Sequence, residues 1–96
     1  MTILIVDDHP IVLKGIHALL ASSFAEARII DAAGVGEAEQ MLNRHKVDII
    51  ITDLDLNGES GSMLIEHVRN VQPATQVAIY TMHEEPWSVG EIADMD

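Results

Sequence analysis

Cysteine is absent from the 96-residue sequence, which excludes a disulfide framework, thiolate chemistry and a cysteine-based zinc site. Basic residues are scarce: Lys and Arg total 5 against 16 Asp and Glu, a formal net charge of −11 at pH 7. That balance argues against direct binding to nucleic acid or to an anionic membrane surface, because both need a basic face. No apolar run approaches the roughly 20 residues that cross a bilayer. The N-terminus has neither the basic start nor the small-residue cleavage site of a signal peptide. A soluble, cytoplasmic chain is the expectation. Hydrophobic residues make up 48% of it and charged residues 22%, a globular composition, and the length suits one small domain rather than two.

What is present alternates between two periods. Ile3-Leu4-Ile5-Val6, Val47-Asp48-Ile49-Ile50-Ile51 and Val77-Ala78-Ile79-Tyr80 are short, β-branched, nearly solid apolar runs, the signature of strands buried on both faces of a parallel sheet. Ala27-Arg28-Ile29-Ile30 is a weaker fourth strand, expected nearer an edge. Helical patterns lie between them. Asp8-His9-Pro10 offers a cap and a first-turn proline, after which Val12, Ile16, Leu19 and Leu20 share a face. Ala38, Met41 and Leu42 form a second stripe, with Glu37 and Glu39 where the helix dipole favours acids. Leu64, Ile65, Val68 and Val71 form a third, stopped by Pro73, and a weak helix is expected from about Pro86 to Asp96. Alternating βα units predict an α/β fold, an open parallel sheet with helices on both faces.

The ends of the strands carry the chemistry. The first run ends in Asp7-Asp8, the third in Thr52-Asp53 and the last in Thr81. In a parallel sheet these positions converge at the carboxyl edge, where open α/β folds place their ligands. One aspartate at a strand end is ordinary turn chemistry, and Asp8 alone would read as a helix cap. Three carboxylates brought together repel one another, and a hard divalent cation resolves the conflict while leaving a position for a phosphate oxygen. A metal beside an aspartate carboxylate in a crevice points to acyl-phosphate chemistry.

These residues resemble a known family. Val6-Asp7-Asp8-His9-Pro10 is similar to the opening of a response-regulator receiver domain of the NarL/FixJ type. Ile50-Ile51-Thr52-Asp53-Leu54-Asp55-Leu56-Asn57-Gly58, followed by Gly61, resembles its phosphorylation segment, and Ile79-Tyr80-Thr81 its switch-hydroxyl strand. The resemblance runs from Met1 to about Trp87 and implies a flavodoxin-like (CheY-like) fold. It implies that Asp53 accepts a phosphoryl group from a histidine kinase. Asp7, Asp8, Asp53 and the backbone carbonyl of Asp55 would hold Mg²⁺ (or Mn²⁺), Asp7 partly through water, and Thr81 would turn toward the phosphoryl oxygens as the switch.

Several features depart from the family. Asn57 stands where proline is usual. The family's lysine, at the end of a fifth strand, has no counterpart, since no lysine follows Lys46 and no base follows Arg69. Residues 1–96 are therefore expected to form a receiver domain truncated before the fifth strand and helix, with no DNA-binding output domain. Loss of the lysine removes a phosphate contact worth about 1.5–3 kcal/mol and is expected to weaken coupling to Thr81. The strand at Val77–Tyr80 would become an exposed sheet edge and promote self-association.

Other residues carry less. His9, His17, His45, His67 and His83 show no zinc spacing, and only His9, beside the acids, is placed to tune the site. Gly34-Val35-Gly36 lacks the third glycine of a dinucleotide loop. Trp87 reads as a packing residue, and the acidic run from His83 as a solvated face. Two other functions fit parts of the pattern. Asp53-Leu54-Asp55 after a strand also resembles the start of haloacid-dehalogenase-type phosphatases, although Asn57 replaces the expected threonine. A phosphorylation-independent interaction module would bind partners without needing Mg²⁺.

Overall fold

The computed structural model describes the backbone of residues 1–56, 59–81 and 91–95 and the side chains of residues 1–54, 56 and 61–80. In chain order the elements are β1 (Thr2–Val6), α1 (Pro10–Ser23), β2 (Arg28–Ala32), α2 (Val35–Arg44), β3 (Ile49–Asp53), β4 (Asp55–Leu56), β5 (Glu59–Ser60), α3 (Gly61–Val71), β6 (Gln76–Thr81) and β7 (Glu91–Met95). The main sheet has the order β2-β1-β3-β6-β7, and its first four strands are parallel. β4 and β5 form a separate two-stranded ribbon just beyond β3.

Strand pairing follows the apolar runs. Leu4 is opposite Ile50, and Ile50 is opposite Val77, so these three share one face of the sheet with Val6 and Ile79 two residues on. That face packs against Val35, Ala38 and Leu42 of α2 and Leu64, Ile65 and Val68 of α3. Ile3 and Ile5 point to the opposite face, where α1 lies against β1 and β2. Helices thus cover both faces, as right-handed crossovers from β1 outward to β2 and back to β3 require. The reversal between β1 and β3 opens a crevice at the carboxyl ends of those strands.

Gln72, just past α3, ties the opposite end of the fold together. Its side-chain amide donates to the carbonyls of Leu42 and His45, each at 2.7 Å, and its oxygen accepts the Val47 N–H at 2.8 Å. The carbonyls that α2 leaves unpaired at its end and the entry to β3 are satisfied by one side chain.

Three expectations need correction. Residues 91–95 form a strand, not the end of a helix, and this strand pairs antiparallel with β6 from Val77↔Met95 to Thr81↔Glu91. β6 is consequently no open edge, since β7 pairs along it, and Val77 and Ile79 are buried in the core with α2 and α3. The helical stripes are also narrower than expected, with Leu19 66% and Val71 44% exposed. Leu19 lies on the outer side of α1, which has no fully buried residue. Asn57, Gly58, His83 and Trp87, with the rest of 82–90, lie outside the described residues. The weak second strand is an edge strand, as its interrupted pattern implied.

Candidate functional site

The carboxyl ends of β1 and β3 bring Asp7, Asp8 and Asp53 together. With His9 they form a group whose donor atoms all lie within 4.8 Å of one another. The register explains how. Val6 is opposite Thr52 and Thr52 opposite Ile79, so the next row across the sheet holds Asp7, Asp53 and Tyr80, the last two paired directly. Asp7 is fully buried and Asp53 nearly so, whereas Asp8 lies at the mouth of the crevice with its side chain 21% exposed.

Asp7 is held from two sides. Its Oδ1 accepts the backbone N–H of His9 at 2.7 Å and lies 2.8 Å from His9 Nδ1. Its Oδ2 accepts the hydroxyl of Tyr80, which reaches it from β6. The Asp7 hydrogen bond raises the pKa of the exposed His9 ring above 6.5, and the negative charge of Asp8 adds to the rise. Burial, then the hydrogen bond to Asp7, pushes the Tyr80 phenol well above its ordinary range. Tyr80 therefore stays protonated and acts as a donor.

Asp8 has a different environment. His9 Nδ1 is 3.0 Å from its Oδ1, close enough for charge attraction, yet among the described residues no donor is aligned with that oxygen, which is shut off from solvent. A buried carboxylate oxygen without a hydrogen bond is costly. The donor set fits a hard divalent cation, which would take that oxygen together with one from Asp53. Asp8 does not cap the helix: the N-cap of α1 is His9, with Pro10 in the first turn.

The segment after Asp53 is shaped by two contacts. The Thr52 hydroxyl, fully buried, donates to the Asp53 carbonyl at 2.9 Å. Gly61 N–H donates to the Leu54 carbonyl at 2.7 Å, which folds the β4–β5 ribbon back so that α3 begins beside the strand end. Asp55 lies in β4 opposite Ser60, and Thr81 is the last residue of β6, opposite Glu91. Both are thus placed at the carboxyl edge by the backbone. Tyr80 escaped the sequence reading as a site residue because a tyrosine in an apolar strand looks like core. The signal was its position in the same register row as the acids.

A family model described as the response regulator receiver domain matches residues 3–96. The chain belongs to this family. It is 35% identical over 86 residues to the oxygen regulatory protein NreC of Staphylococcus haemolyticus (strain JCSC1435), covering 88% of this chain and 40% of that protein. A LuxR-family two-component response regulator from Aurantimonas sp. SI85-9A1 superposes with a TM-score of 0.77 at 36% identity, over 86% of this chain and 59% of that one. RcsB from Salmonella enterica serovar Typhimurium, in a structure bound to promoter rprA in the presence of phosphomimetic BeF3-, gives a TM-score of 0.76 at 28% identity. That match covers 90% of this chain and 50% of that one. The chain thus spans less than two thirds of each of these three regulators, and about 40% of NreC. It is a signalling domain of two-component systems, with an acidic pocket suited to a divalent metal.

Proposed function

We propose that this receiver domain is a phosphoacceptor: Asp53 takes a phosphoryl group from a histidine kinase in a Mg²⁺-dependent (or Mn²⁺-dependent) reaction, and the product switches partner or DNA-output activity. The observation that carries the reading is the convergence of Asp7, Asp8 and Asp53 at the carboxyl edge of the parallel sheet. In the transfer, a carboxylate oxygen of Asp53 forms the new P–O bond as the P–N bond to the kinase imidazole breaks, and the imidazole leaves with the electron pair. Such transfers depend on positioning and on neutralising phosphoryl charge more than on covalent help from the protein. Asp8 and Asp53, Asp7 through water, and the Asp55 carbonyl would hold the cation, which supplies that neutralisation when bound.

The chain's own residues do the remaining work. Thr52 and Gly61 fix the backbone around Asp53, and Asp7 presents a carboxylate already oriented by His9 and Tyr80. Thr81, at the end of β6, would hydrogen-bond the phosphoryl oxygens and pass their arrival to the chain beyond β6, a population shift driven by a new anion. The RcsB structure with a phosphomimetic supports this reading by relationship. A cytoplasmic location and a kinase partner accord with the family, and the net charge of −11 keeps direct DNA contact out of the proposal. Self-association through the sheet edge beyond β6 would now run through β7, the outermost strand on that side.

A second reading is a module that binds partners without phosphorylation, which would not need Mg²⁺. The phosphatase alternative is set aside because the receiver match spans residues 3–96. Intact mass after incubation with a small phosphodonor, with and without Mg²⁺, separates the two that remain. A single metal-dependent phosphoryl adduct, absent from Asp53→Asn, is expected. A folded sample that gains none overturns the phosphoacceptor reading and leaves the binding module.

A further inference from the structure

We propose that Tyr80 is a positioning residue for the divalent-cation site, acting through its hydroxyl on the carboxylate of Asp7. This rests on the phosphoacceptor reading above and adds to it a residue outside the acidic set. Tyr80 belongs to β6, and Asp7 follows β1, with β3 and Asp53 between them. The hydrogen bond from Tyr80 to Asp7 therefore spans the strand that carries the phosphoacceptor.

Both partners are buried, Tyr80 at 4% and Asp7 at 0% exposure, so water does not compete for the bond. A buried tyrosine hydroxyl needs an acceptor wherever it lies, and satisfying Tyr80 is the plain structural role of Asp7. The arrangement does more than that. Asp7 Oδ1 is occupied by the backbone and ring of His9, and Oδ2 by Tyr80, so the carboxylate plane is fixed by donors on both oxygens. A carboxylate so engaged would serve a cation through water, with Asp8 and Asp53 supplying direct oxygens. Removing the hydroxyl frees Asp7 to rotate and leaves Oδ2 without its donor. Partners of this kind, one step removed from a metal, typically cost 10- to 100-fold in metal affinity when deleted.

The test is Mn²⁺ binding to the whole chain, read from the loss of the free-ion electron paramagnetic resonance signal, with no phosphodonor present. Wild type should bind one ion, and Asp53→Asn should bind it much more weakly. Tyr80→Phe should lose about 10-fold or more in affinity. The double variant Asp7→Asn/Tyr80→Phe should lose no more than Asp7→Asn alone, since the tyrosine acts through that carboxylate. If Tyr80→Phe weakens folding, the cycle still decides, because a general structural defect adds its loss to that of Asp7→Asn. Additive losses, or an unchanged affinity in Tyr80→Phe, overturn the role of Tyr80 while the site stands. A wild type that binds no Mn²⁺ overturns the metal-site reading and the Tyr80 role together.

Discussion

Gly61 and Asp53 meet backbone to backbone: a Cβ on Gly61 would stand 2.9 Å from the Asp53 carbonyl oxygen, and 3.0 Å from that of Leu54. Neither atom belongs to a flexible side chain, so the strand end or the first turn of α3 must move to admit even a methyl group. Gly61→Ala is expected to lower stability by about 1–3 kcal/mol, the usual cost of overpacking. Urea denaturation measures that loss, and the phosphoryl adduct formed in unit time should fall with it, because the displaced atoms carry the phosphoacceptor. An unchanged denaturation midpoint would show that the turn has slack which the close contact hides.

His9 sets a pH dependence with a definite sign. Its pKa is raised from 6.5 in the folded chain, first by the hydrogen bond to Asp7 and then by the charge of Asp8. A raised value means that the folded state binds the proton more tightly. The stabilisation is therefore complete below about 6.5, the unfolded value, and is lost as pH rises through the folded one. An NMR titration of the His9 ring, in chelator, should give a midpoint above 6.5, and Asp7→Asn should lower it. The stability difference between wild type and His9→Gln should shrink as the pH is raised past that midpoint.

Much of this site was legible in the sequence because parallel strands place their ends on one edge. Asp7, Asp8 and Asp53 needed only the strand assignments to be brought together. The β4–β5 ribbon was not legible, since two-residue strands have no period to detect. The end of the chain was misread because Glu91-Ile92-Ala93-Asp94-Met95 has neither a clean helical stripe nor a β-branched run. Its strand character comes from the unpaired backbone of β6, a tertiary effect. Gln72 was likewise invisible: a polar residue near a helix end reads as surface, and only three-dimensional proximity makes it a clamp.

Gln72 should be worth more than its exposed neighbours. Gln72→Leu removes the acceptor for the N–H of buried Val47 and the donor for two carbonyls. Leaving buried backbone groups unsatisfied costs about 1–3 kcal/mol. Gln72 lies at the edge of the sheet opposite Asp53, so its loss should touch stability and spare the chemistry. The denaturation midpoint should fall by that amount while phosphoryl uptake by the folded fraction, per mole, stays at the wild-type level. A loss of uptake in fully folded Gln72→Leu would contradict this separation.

Asp8 should change the sign of its contribution with the metal. Among the described residues no donor is aligned with its buried Oδ1, and in chelator its charge stands beside two buried carboxylates. Above the His9 midpoint, where no imidazolium faces Asp8, Asp8→Asn relieves that repulsion, so the variant should unfold at the same temperature as wild type or higher. With Mg²⁺ the order should reverse. A ligand that binds only the folded state stabilises it by about 2.7 kcal/mol at a hundredfold excess over its Kd. For a domain of this size that raises the unfolding midpoint by roughly 10–20 °C. Asp8→Asn, lacking one charged ligand, should show a much smaller rise. Thermal unfolding of both proteins in chelator and across a Mg²⁺ series tests the reversal. If Asp8→Asn is the less stable of the two in chelator, the orphaned oxygen is satisfied in solution. If Mg²⁺ raises both midpoints equally, Asp8 is not a ligand.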